Sequence, residues 1–347
     1  MHDNLEISGQ HIAPGVRCTV EVPLPPLYTH TPMVMPVHVV RGKKEGPILL
    51  LSAAIHGDEL NGIEIIRRVL QLPALSRIKG TIVAVPVVNV YGLIHHSRYL
   101  PDRRDLNRSF PGSEKGSLAA RVAHIFLEEL VSKCTHGIDL HTGAIHRSNL
   151  PQIRANLDDQ ETLEMAKTFG APVVLNSNLR DGSLREAADE RGVDMLLYET
   201  GQALRFDEVS IRGGVKGVVN ILRHLGMLPR VKRKKISEPV IARSSKWVRA
   251  TSSGLLKTLK PLGARVKRHE LLALVDDPLG DNQTEIKAPF SGIIIGRTEI
   301  PLVHEGEAVF HIARFQDLGE AEDRVDEFQD MENGSSIPGL EQEPPVI

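Results

Sequence analysis

The stretch Ile48-Leu49-Leu50-Leu51-Ser52-Ala53-Ala54-Ile55-His56-Gly57-Asp58-Glu59-Leu60 decides the fold of this chain. The apolar run 48–55 predicts a buried strand, and residues 60–72 have the pattern of an amphipathic helix. His56 therefore stands at the carboxyl end of a strand. Open α/β sheets bind their ligands at this edge, so the first candidate functional residues lie in the turn after the strand.

Outward from this stretch, strands and helices alternate as far as about residue 226. Further strands are predicted at 81–88, 137–141, 172–175 and 195–199, and further helices at 117–133, 160–169, 184–192 and 207–225. This alternation predicts an α/β domain whose sheet is mainly parallel or mixed and carries helices on both faces.

The composition indicates a globular protein with a full-sized core. The chain has 347 residues and a formal net charge of -2, which argues against nucleic acid or a membrane surface as a partner. Cys18 and Cys134 are too few for a disulfide framework, so a reduced compartment is expected. The start lacks the basic and apolar regions of a signal peptide, and no apolar run is long enough to span a bilayer. These features predict a cytoplasmic location.

Composition also divides the chain into parts. They are 1–45, proline-rich strands and loops that pack on the next part; 46–229, a catalytic α/β domain; 230–243, a basic linker; 244–314, a small β domain; and 315–347, an acidic tail expected to be disordered. The basic segment could instead be a docking or nucleic-acid patch, but no aromatic residues interleave with its charges, so a linker is favoured. Within the tail, 318–331 could form a marginal helix.

The small β domain contains an internal repeat. Residues 248–256 match 286–294, and at a similar spacing 266–272 match 303–309. Two equivalent β units of this kind resemble the barrel-sandwich fold of biotinyl and lipoyl carrier domains. Those carriers present a modified lysine on an exposed hairpin, whereas the corresponding stretch here, 276–284, contains no lysine. A structural module that shields the site or packs between subunits is therefore predicted.

His56, Glu59 and His141 form a candidate zinc site. Three protein ligands leave one tetrahedral position open, which is typical of catalytic zinc. The alternative is a core histidine beside an ordinary helix charge, and a lone His-x-x-Glu would favour it. The second strand-terminal histidine, in His-Thr-Gly, favours zinc. The side chain of Asp139 is expected to point to the opposite face of its strand. It would either orient a metal ligand or form a structural hydrogen bond.

A second constellation is Asp105-Leu106-Asn107-Arg108-Ser109-Phe110, in a loop that contains several further arginines. A guanidinium can bind a carboxylate through two parallel hydrogen bonds, and a neighbouring amide can add another. The alternative is a solvated basic loop. The combination of residue types favours a carboxylate-binding loop.

The order of the motifs resembles a known family. His-Gly-Asp-Glu, Asp-Leu-Asn-Arg, Asp-Leu-His-Thr-Gly and Tyr-Glu-Thr-Gly follow one another at 56–59, 105–108, 139–143 and 198–201. This set is similar to that of the succinylglutamate desuccinylase/aspartoacylase family, part of the zinc carboxypeptidase superfamily, over residues 46–225. Some members of that family also carry a small β domain after the catalytic one.

The resemblance implies specific roles. One zinc ion per chain would be held by His56, Glu59 and His141. Asn107 and Arg108 would hold the carboxylate of an acylated amino acid. Arg98 would polarise the scissile carbonyl, with Arg103 and Arg104 as alternatives because the interval before Asp-Leu-Asn-Arg is longer than in aspartoacylase. Glu199 would be the catalytic carboxylate, and its predicted place at a strand end beside the metal suits a proton-transferring group.

Together these features predict a zinc-dependent deacylase, which cleaves the amide bond of a small N-acylated amino acid with metal-activated water. The alternatives are a carboxypeptidase or peptide amidase on the same scaffold, and a catalytically silent zinc-binding protein. Arg180 and Arg185 could contact a second substrate carboxylate or could be solvated charges. The sequence does not identify the acyl group of the substrate. It also does not determine the oligomeric state, although a homo-oligomer is possible.

Overall fold

The computed structural model describes residues 5–177, 179–230 and 238–334 of the chain. In chain order the strands are β1 (Glu6–Ile7), β2 (Gln10–His11), β3 (Arg17–Leu24), β4 (Met33–Arg41), β5 (Lys44–Ala53), β6 (Lys79–Val85), β7 (His136–Gly143), β8 (Arg147–Ala155), β9 (Val173–Asn176), β10 (Asp194–Gln202), β11 (Val240–Ala242), β12 (Ser244–Arg249), β13 (Gly254–Thr258), β14 (Arg265–Val266), β15 (Leu271–Asp276), β16 (Gln283–Lys287), β17 (Gly292–Thr298), β18 (Leu302–Val303) and β19 (Ala308–Arg314). The α-helices are α1 (Asn61–Leu70), α2 (Val90–Ile94), α3 (Leu118–Glu129), α4 (Gln160–Phe169), α5 (Leu184–Asp189), α6 (Glu208–His224) and α7 (Leu318–Gly334). Short 3-10 helices cover Pro73–Arg77, Leu106–Arg108 and Val131–Lys133. Across the described residues, no helix combines the length and apolar character needed to cross a membrane.

The centre of the molecule is a mixed sheet, which has 13 strands within the described residues. β10, β7, β5 and β6 are neighbours in this order and run parallel. Beyond β6 the sheet continues with β4 and β3, both antiparallel to their neighbours. On the other side, β8 pairs antiparallel with β10. The predicted α/β fold is confirmed, with a mixed sheet whose parallel strands lie at its centre.

Both faces of the parallel strands are covered by helices. In β5, Leu50 belongs to an apolar cluster with side chains of α3 and α5, whereas Leu49 and Leu51 belong to a cluster with α1, α4 and α6. A strand buried on both faces needs apolar residues at successive positions rather than alternating ones. This requirement explains the apolar run at 48–55, which only Ser52 interrupts. The two layers of helices leave the carboxyl ends of β5, β7 and β10 as the edge at which polar side chains gather.

β8 is a strand that the sequence did not predict. It contains Pro151, and a proline within a run argues against a central strand. β8 nevertheless pairs with β10 on one side and with β9 and β17 on the other. Because β17 comes from the C-terminal part of the chain and pairs with Asn149 through Gly296, β8 joins both parts of the chain into one sheet.

Residues 244–314, here called the C-terminal β unit, consist of strands and loops. β12, β14, β17 and β19 belong to the large sheet, and β13, β15, β16 and β18 form a separate four-stranded sheet. Both sheets contribute side chains to one apolar cluster, for example Val266 and Ile312 from the first and Leu272 and Ile286 from the second. The unit is therefore a two-layer structure whose first layer continues the sheet of the α/β part.

The predicted linker ends in a short strand, and the helix predicted at 318–331 of the tail is present. Residues 231–237 of the predicted linker lie outside the described residues, but its end forms β11, which pairs in parallel with β9. In the tail, residues 335–347 lie outside the described residues, whereas α7 runs over Leu318–Gly334. Ala321, Val325 and Phe328 of α7 are buried. They lie on one helical face, and burial of this face against the protein stabilises a helix whose own propensity is marginal.

Candidate metal centre and its cavity

The structure brings His56, Glu59 and His141 into one buried cluster, and their potential ligand atoms all lie within 4.8 Å of one another. Nδ1 of His56 is 2.7 Å from Oε1 of Glu59, and Nδ1 of His141 is 2.8 Å from Oε2 of the same carboxylate. The centroids of the two imidazole rings are 5.1 Å apart, and the rings are arranged edge to face. Each histidine thus turns the same ring nitrogen, Nδ1, toward the shared carboxylate.

Two backbone features hold this cluster in place. A Cβ at Gly57 would lie 2.0 Å from the carbonyl carbon of Gly92 in α2, so the close approach of the turn to this helix requires glycine. On the other side, the backbone N–H of Thr142 donates to Oε2 of Glu59 at 3.0 Å. The carboxylate is therefore fixed from β7 as well as from its own turn.

A further carboxylate lies beside Nε2 of each imidazole, on the side away from Glu59. Nε2 of His141 is 2.6 Å from Oδ2 of Asp139, whose Oδ1 accepts a hydrogen bond from Ser52 Oγ at 2.7 Å. Nε2 of His56 is 3.1 Å from Oδ1 of Asp105. The expectation that Asp139 points away was wrong, because residues two apart in a strand share a face. Such carboxylates orient metal-ligating histidines and raise their basicity.

The donor set fits a zinc ion. Two imidazole nitrogens and one carboxylate are ligand types found in catalytic zinc sites, and carboxylates behind the rings are a usual accompaniment. Burial raises the pKa of Glu59, but His56 and His141 outweigh this effect and hold the pKa well below its ordinary value. Glu59 is therefore ionised, as a metal ligand must be. The cluster could hold a metal ion.

Arg98 reaches the cluster from the loop after α2. Its Nη1 donates to Oε1 of Glu59 at 3.2 Å, and its Nη2 donates to Oδ2 of Asp105 at 2.8 Å. Arg103 and Arg104, the alternatives for the same role, are exposed and do not line the cavity that contains the cluster. The geometry therefore separates Arg98 from the other two arginines.

Asn107 and Arg108 lie on the 3-10 helix of the same loop. Asn107 is buried, and its Oδ1 accepts a hydrogen bond from the backbone N–H of Leu184, the first residue of α5, at 2.9 Å. This bond leaves the Nδ2 amide group of Asn107 as a donor for a ligand. The guanidinium of Arg108 donates to the backbone carbonyl of Asn107, and no carboxylate among the described residues pairs with it. Both residues can therefore donate to an added anion.

Glu199 lies opposite His141 in the parallel pairing of β10 with β7. Its Oε2 accepts a hydrogen bond from Nδ2 of Asn149 in β8 at 2.7 Å. The sequence did not identify Asn149, because β8 was not predicted and the residue belongs to none of the motifs. The bond orients the carboxylate of Glu199 from a strand on the side of the C-terminal β unit.

One cavity of about 200 Å³ contains all of the predicted site residues. His56, Glu59, Arg98, Asn107, Arg108, His141 and Glu199 line it. It is also lined by residues that no motif marked, among them Asn149, Arg154 and Trp247. The only sequence signal for Trp247 is that the chain has a single tryptophan. The cavity thus has walls from both the α/β part and the C-terminal β unit.

Arginine dominates the wall of this cavity away from the metal cluster. Arg147, Arg154, Arg180 and Arg185 line it together with Arg98 and Arg108. Burial, with Arg154 and Arg180 nearby, lowers the pKa of Arg185 to about 10. Like charges held this close favour binding of an anion, which relieves their repulsion.

The comparisons with known proteins agree with the fold and the motifs. The model of the succinylglutamate desuccinylase/aspartoacylase catalytic domain matches residues 45–225. The chain belongs to this family, and the resemblance drawn from the motifs is confirmed.

The chain is also similar to one relative of described activity and to several solved structures. An N-alpha-acetyl-L-2,4-diaminobutyric acid deacetylase from Halomonas elongata is 30% identical over 295 residues, which are 81% of this chain and 86% of the relative. The product-bound structure of the ectoine utilization protein EutE (DoeB) from Ruegeria pomeroyi has a TM-score of 0.78 at 25% identity and covers 86% of this chain and 95% of its own. A succinylglutamate desuccinylase/aspartoacylase structure from Rhodobacter sphaeroides has a TM-score of 0.77 at 23% identity. The match covers 86% of this chain and 95% of that chain, and the two share the same fold.

Proposed function

We propose that this protein is a zinc-dependent hydrolase that cleaves the amide bond of an N-acylated amino acid or a similar small amide with a carboxylate. The observation that carries the proposal is the shared cavity. A His-Glu-His cluster, the guanidinium of Arg108 and the carboxylate of Glu199 line the same space. The cluster could activate an amide through a bound metal ion. Arg108 could bind a carboxylate, and Glu199 could transfer a proton.

Zinc, when bound by His56, Glu59 and His141, would supply a Lewis acid for the scissile carbonyl and for the attacking water. Glu199 would take a proton from that water and deliver it to the leaving amine. Asn149, through its hydrogen bond to Oε2, would keep the carboxylate of Glu199 in one orientation.

The arginines would divide the substrate between them. Arg98, beside Glu59, would donate to the carbonyl oxygen as negative charge develops there. Arg108 would hold the carboxylate of the amino acid through two parallel hydrogen bonds, and the Nδ2 group of Asn107 would add a third. Both ends of the amide would then be fixed before the reaction, which lowers its entropic barrier.

The cavity at the metal cluster has a size that suits a small substrate. About 200 Å³ lies within walls that include Trp247 of the C-terminal β unit. We therefore propose that this unit, interpreted as a barrel-sandwich domain, acts as a wall of the site and carries no cofactor. A carboxypeptidase or peptide amidase would need an open groove instead.

The relatives support the same reaction class. The name of the Halomonas elongata relative specifies removal of an acetyl group from an amino acid. We propose that this chain also removes an acyl group from an amino acid. The identity of that amino acid is not part of the proposal. A cytoplasmic location remains part of the proposal, supported by two cysteines that are both free thiols. Action without nucleic acid or a membrane is also proposed, on the basis of the formal net charge of -2.

The proposal is tested by an assay of the zinc-loaded protein against N-acetyl, N-succinyl and N-formyl amino acids, with release of the free amine as the readout. We expect release from at least one substrate and loss of release after zinc is removed by a chelator. Release from peptides alone would favour the peptidase alternative. Stoichiometric zinc without release from any of these substrates would favour a silent zinc-binding protein.

A further inference from the structure

Glu199 lies at one end of a row of residues that crosses the sheet into the C-terminal β unit. Asn149 of β8, which donates to Glu199, lies directly opposite Gly296 of β17. Gly296 lies opposite His311 of β19, and His311 lies opposite Trp247 of β12. Residues directly opposite one another in antiparallel strands have their side chains on the same face of the sheet. The row therefore connects the candidate proton carrier with side chains of the C-terminal β unit.

Gly296 leaves space between Asn149 and His311 in this row. A Cβ at Gly296 would lie 2.9 Å from Oδ1 of Asn149 and 3.3 Å from Cβ of His311. The backbone of Gly296 is outside the left-handed region that favours glycine, so its conformation does not explain the residue type. An alanine side chain at this position would displace the amide group of Asn149. The glycine thus keeps the space open for a small molecule.

His311 brings an unsatisfied polar atom to the row. The residue is only 5% exposed, and its Nδ1 is buried without a hydrogen-bond partner among the described residues. Its ring stacks on Trp247 with centroids 4.5 Å apart and an interplanar angle of 9°, which fixes the plane of the imidazole. Buried polar atoms nearly always have a partner in the protein or in ordered water. Nδ1 therefore calls for a water molecule.

The imidazole of His311 is neutral. Burial, with Arg154 and Arg180 nearby, lowers the pKa of His311 to about 3. A neutral imidazole carries hydrogen on only one ring nitrogen, and its hydrogen-bond partners decide which one. A hydrogen on Nδ1 would make this buried atom a donor toward the space over Gly296.

The side-chain amide of Asn149 supplies the matching acceptor. With Nδ2 toward Glu199, the amide donates to Oε2 at 2.7 Å. With Oδ1 in that place, an oxygen would face the carboxylate and the hydrogen bond would be lost. No described residue donates to Oδ1 in the favourable orientation. A donor on the Oδ1 side would therefore hold the amide in the orientation that serves Glu199.

We infer that His311 is a positioning residue for Glu199 and acts through one water molecule and Asn149. Nδ1–H of His311 donates to a water over Gly296, the water donates to Oδ1 of Asn149, and Nδ2 of Asn149 donates to Glu199. The C-terminal β unit thereby takes part in catalysis besides forming a wall of the cavity. The inference rests on the proposed function, which gives Glu199 its task, but the hydrogen-bonded row can be tested without turnover.

The tautomer of His311 is the test that needs no substrate. In zinc-loaded protein labelled with ¹⁵N-histidine, the two neutral tautomers give different pairs of ¹⁵N chemical shifts. We expect the signals of His311, assigned by their loss in His311→Phe, to show the Nδ1–H form. In Asn149→Ala the water loses its acceptor, so the Nδ1–H signal should shift. An Nε2–H tautomer, or a signal unchanged in Asn149→Ala, would overturn the inference.

Turnover of an N-acyl amino acid separates the two ring nitrogens of His311. His311→Asn retains a donor near the position of Nδ1, whereas His311→Gln retains one near that of Nε2, and both variants lose the imidazole stack. We expect kcat to fall about tenfold in His311→Gln, as for the loss of one hydrogen bond, and less than about threefold in His311→Asn. KM should change less than about threefold in both, because Glu199 acts in the transition state.

Two further changes show whether the effect passes through Asn149. Gly296→Ala should lower kcat about tenfold or more, whereas Gly319→Ala, a glycine of α7 that does not line the cavity, should leave it unchanged. In an Asn149→Ala background, His311→Gln should have no further effect on kcat, since residues of one hydrogen-bonded row are not additive. Equal losses in His311→Asn and His311→Gln, or additive losses in the double variant, would overturn the inference.

The two kinds of measurement distinguish this inference from the proposed function. Turnover by the wild-type protein with unchanged kcat in His311→Gln would overturn the role of His311 alone. No turnover of any substrate by the wild-type protein would count against the proposed function, and the tautomer of His311 would then decide the row by itself. Because the comparison of Asn with Gln at position 311 does not involve His311→Phe, it stays decisive if that variant fails to fold.

Discussion

Asp105 Oδ1 lies 3.1 Å from Nε2 of His56, on the side of the imidazole opposite to Glu59. The other oxygen of Asp105 accepts from Nη2 of Arg98 at 2.8 Å. Burial raises the pKa of Asp105, but His56 and Arg98 outweigh it, so the pKa lies below its ordinary value and the group is ionised. One carboxylate therefore orients a candidate metal ligand and a candidate catalytic arginine at once.

Replacement of Asp105 should weaken zinc binding without removing a ligand. In Asp105→Asn the affinity for zinc should fall by about 10- to 100-fold, because His56 loses the carboxylate that orients it and raises its basicity. Competition with a chromogenic chelator measures the affinity. Unchanged zinc affinity would show that Asp105 serves only to position Arg98.

Zinc should stabilise the folded protein. At a free zinc concentration about a thousandfold above its Kd, the free energy of unfolding should rise by about 4 kcal/mol, because zinc binds the assembled cluster and not the unfolded chain. Urea unfolding with zinc and with a chelator measures this difference. His141→Ala should lose the increment, and an equal increment in that variant would place the ion elsewhere.

Glu199→Gln should separate binding from catalysis. The amide cannot accept a proton from water, so kcat should fall by about 10²- to 10⁴-fold with the zinc content unchanged. Metal analysis and steady-state kinetics measure the two quantities on the same preparation. Full residual activity would exclude Glu199 as the proton carrier.

Arg108→Lys should weaken substrate binding more than turnover. Lysine keeps the charge but loses the paired hydrogen bonds of the guanidinium, so KM should rise about tenfold or more while kcat changes less. Arg104→Lys is a matched control, because Arg104 is exposed and does not line the cavity of the metal cluster. Equal effects of the two variants would contradict a carboxylate anchor at Arg108.

The C-terminal helix should contribute to stability. Phe328 of α7 packs against α6, where a Cβ at Gly213 would lie 2.5 Å from its ring. Phe328→Ala should lower the free energy of unfolding by about 3 kcal/mol through the cavity that it leaves. Met331→Ala, at an exposed position of the same helix, should change it by less than about 0.5 kcal/mol. Urea unfolding of both variants checks the difference, and a neutral Phe328→Ala would mean that α7 does not stay packed.

The local patterns were the predictable part of this fold. A mostly apolar run such as 48–55 indicates a strand buried on both faces. β5, β7 and β10 lie close to their predicted positions. β8 was not predicted, and the proline within it, Pro151, is a residue type that argues against a central strand. The face of Asp139 was misjudged, although the two-residue period of a strand already places it beside His141.

The sequence by itself determined the α/β fold, the family and the set of residues at the strand ends, because each depends on short motifs and on periodicity. Only the tertiary structure decided how these residues meet. It assigned Asp105 and Asp139 to the far sides of the histidines, separated Arg98 from Arg103 and Arg104, and brought Asn149 to Glu199. The far wall of the cavity also required it, because Arg154, Arg180 and Trp247 come from distant segments. Contacts between such segments arise from strand pairing and packing, which no local pattern encodes.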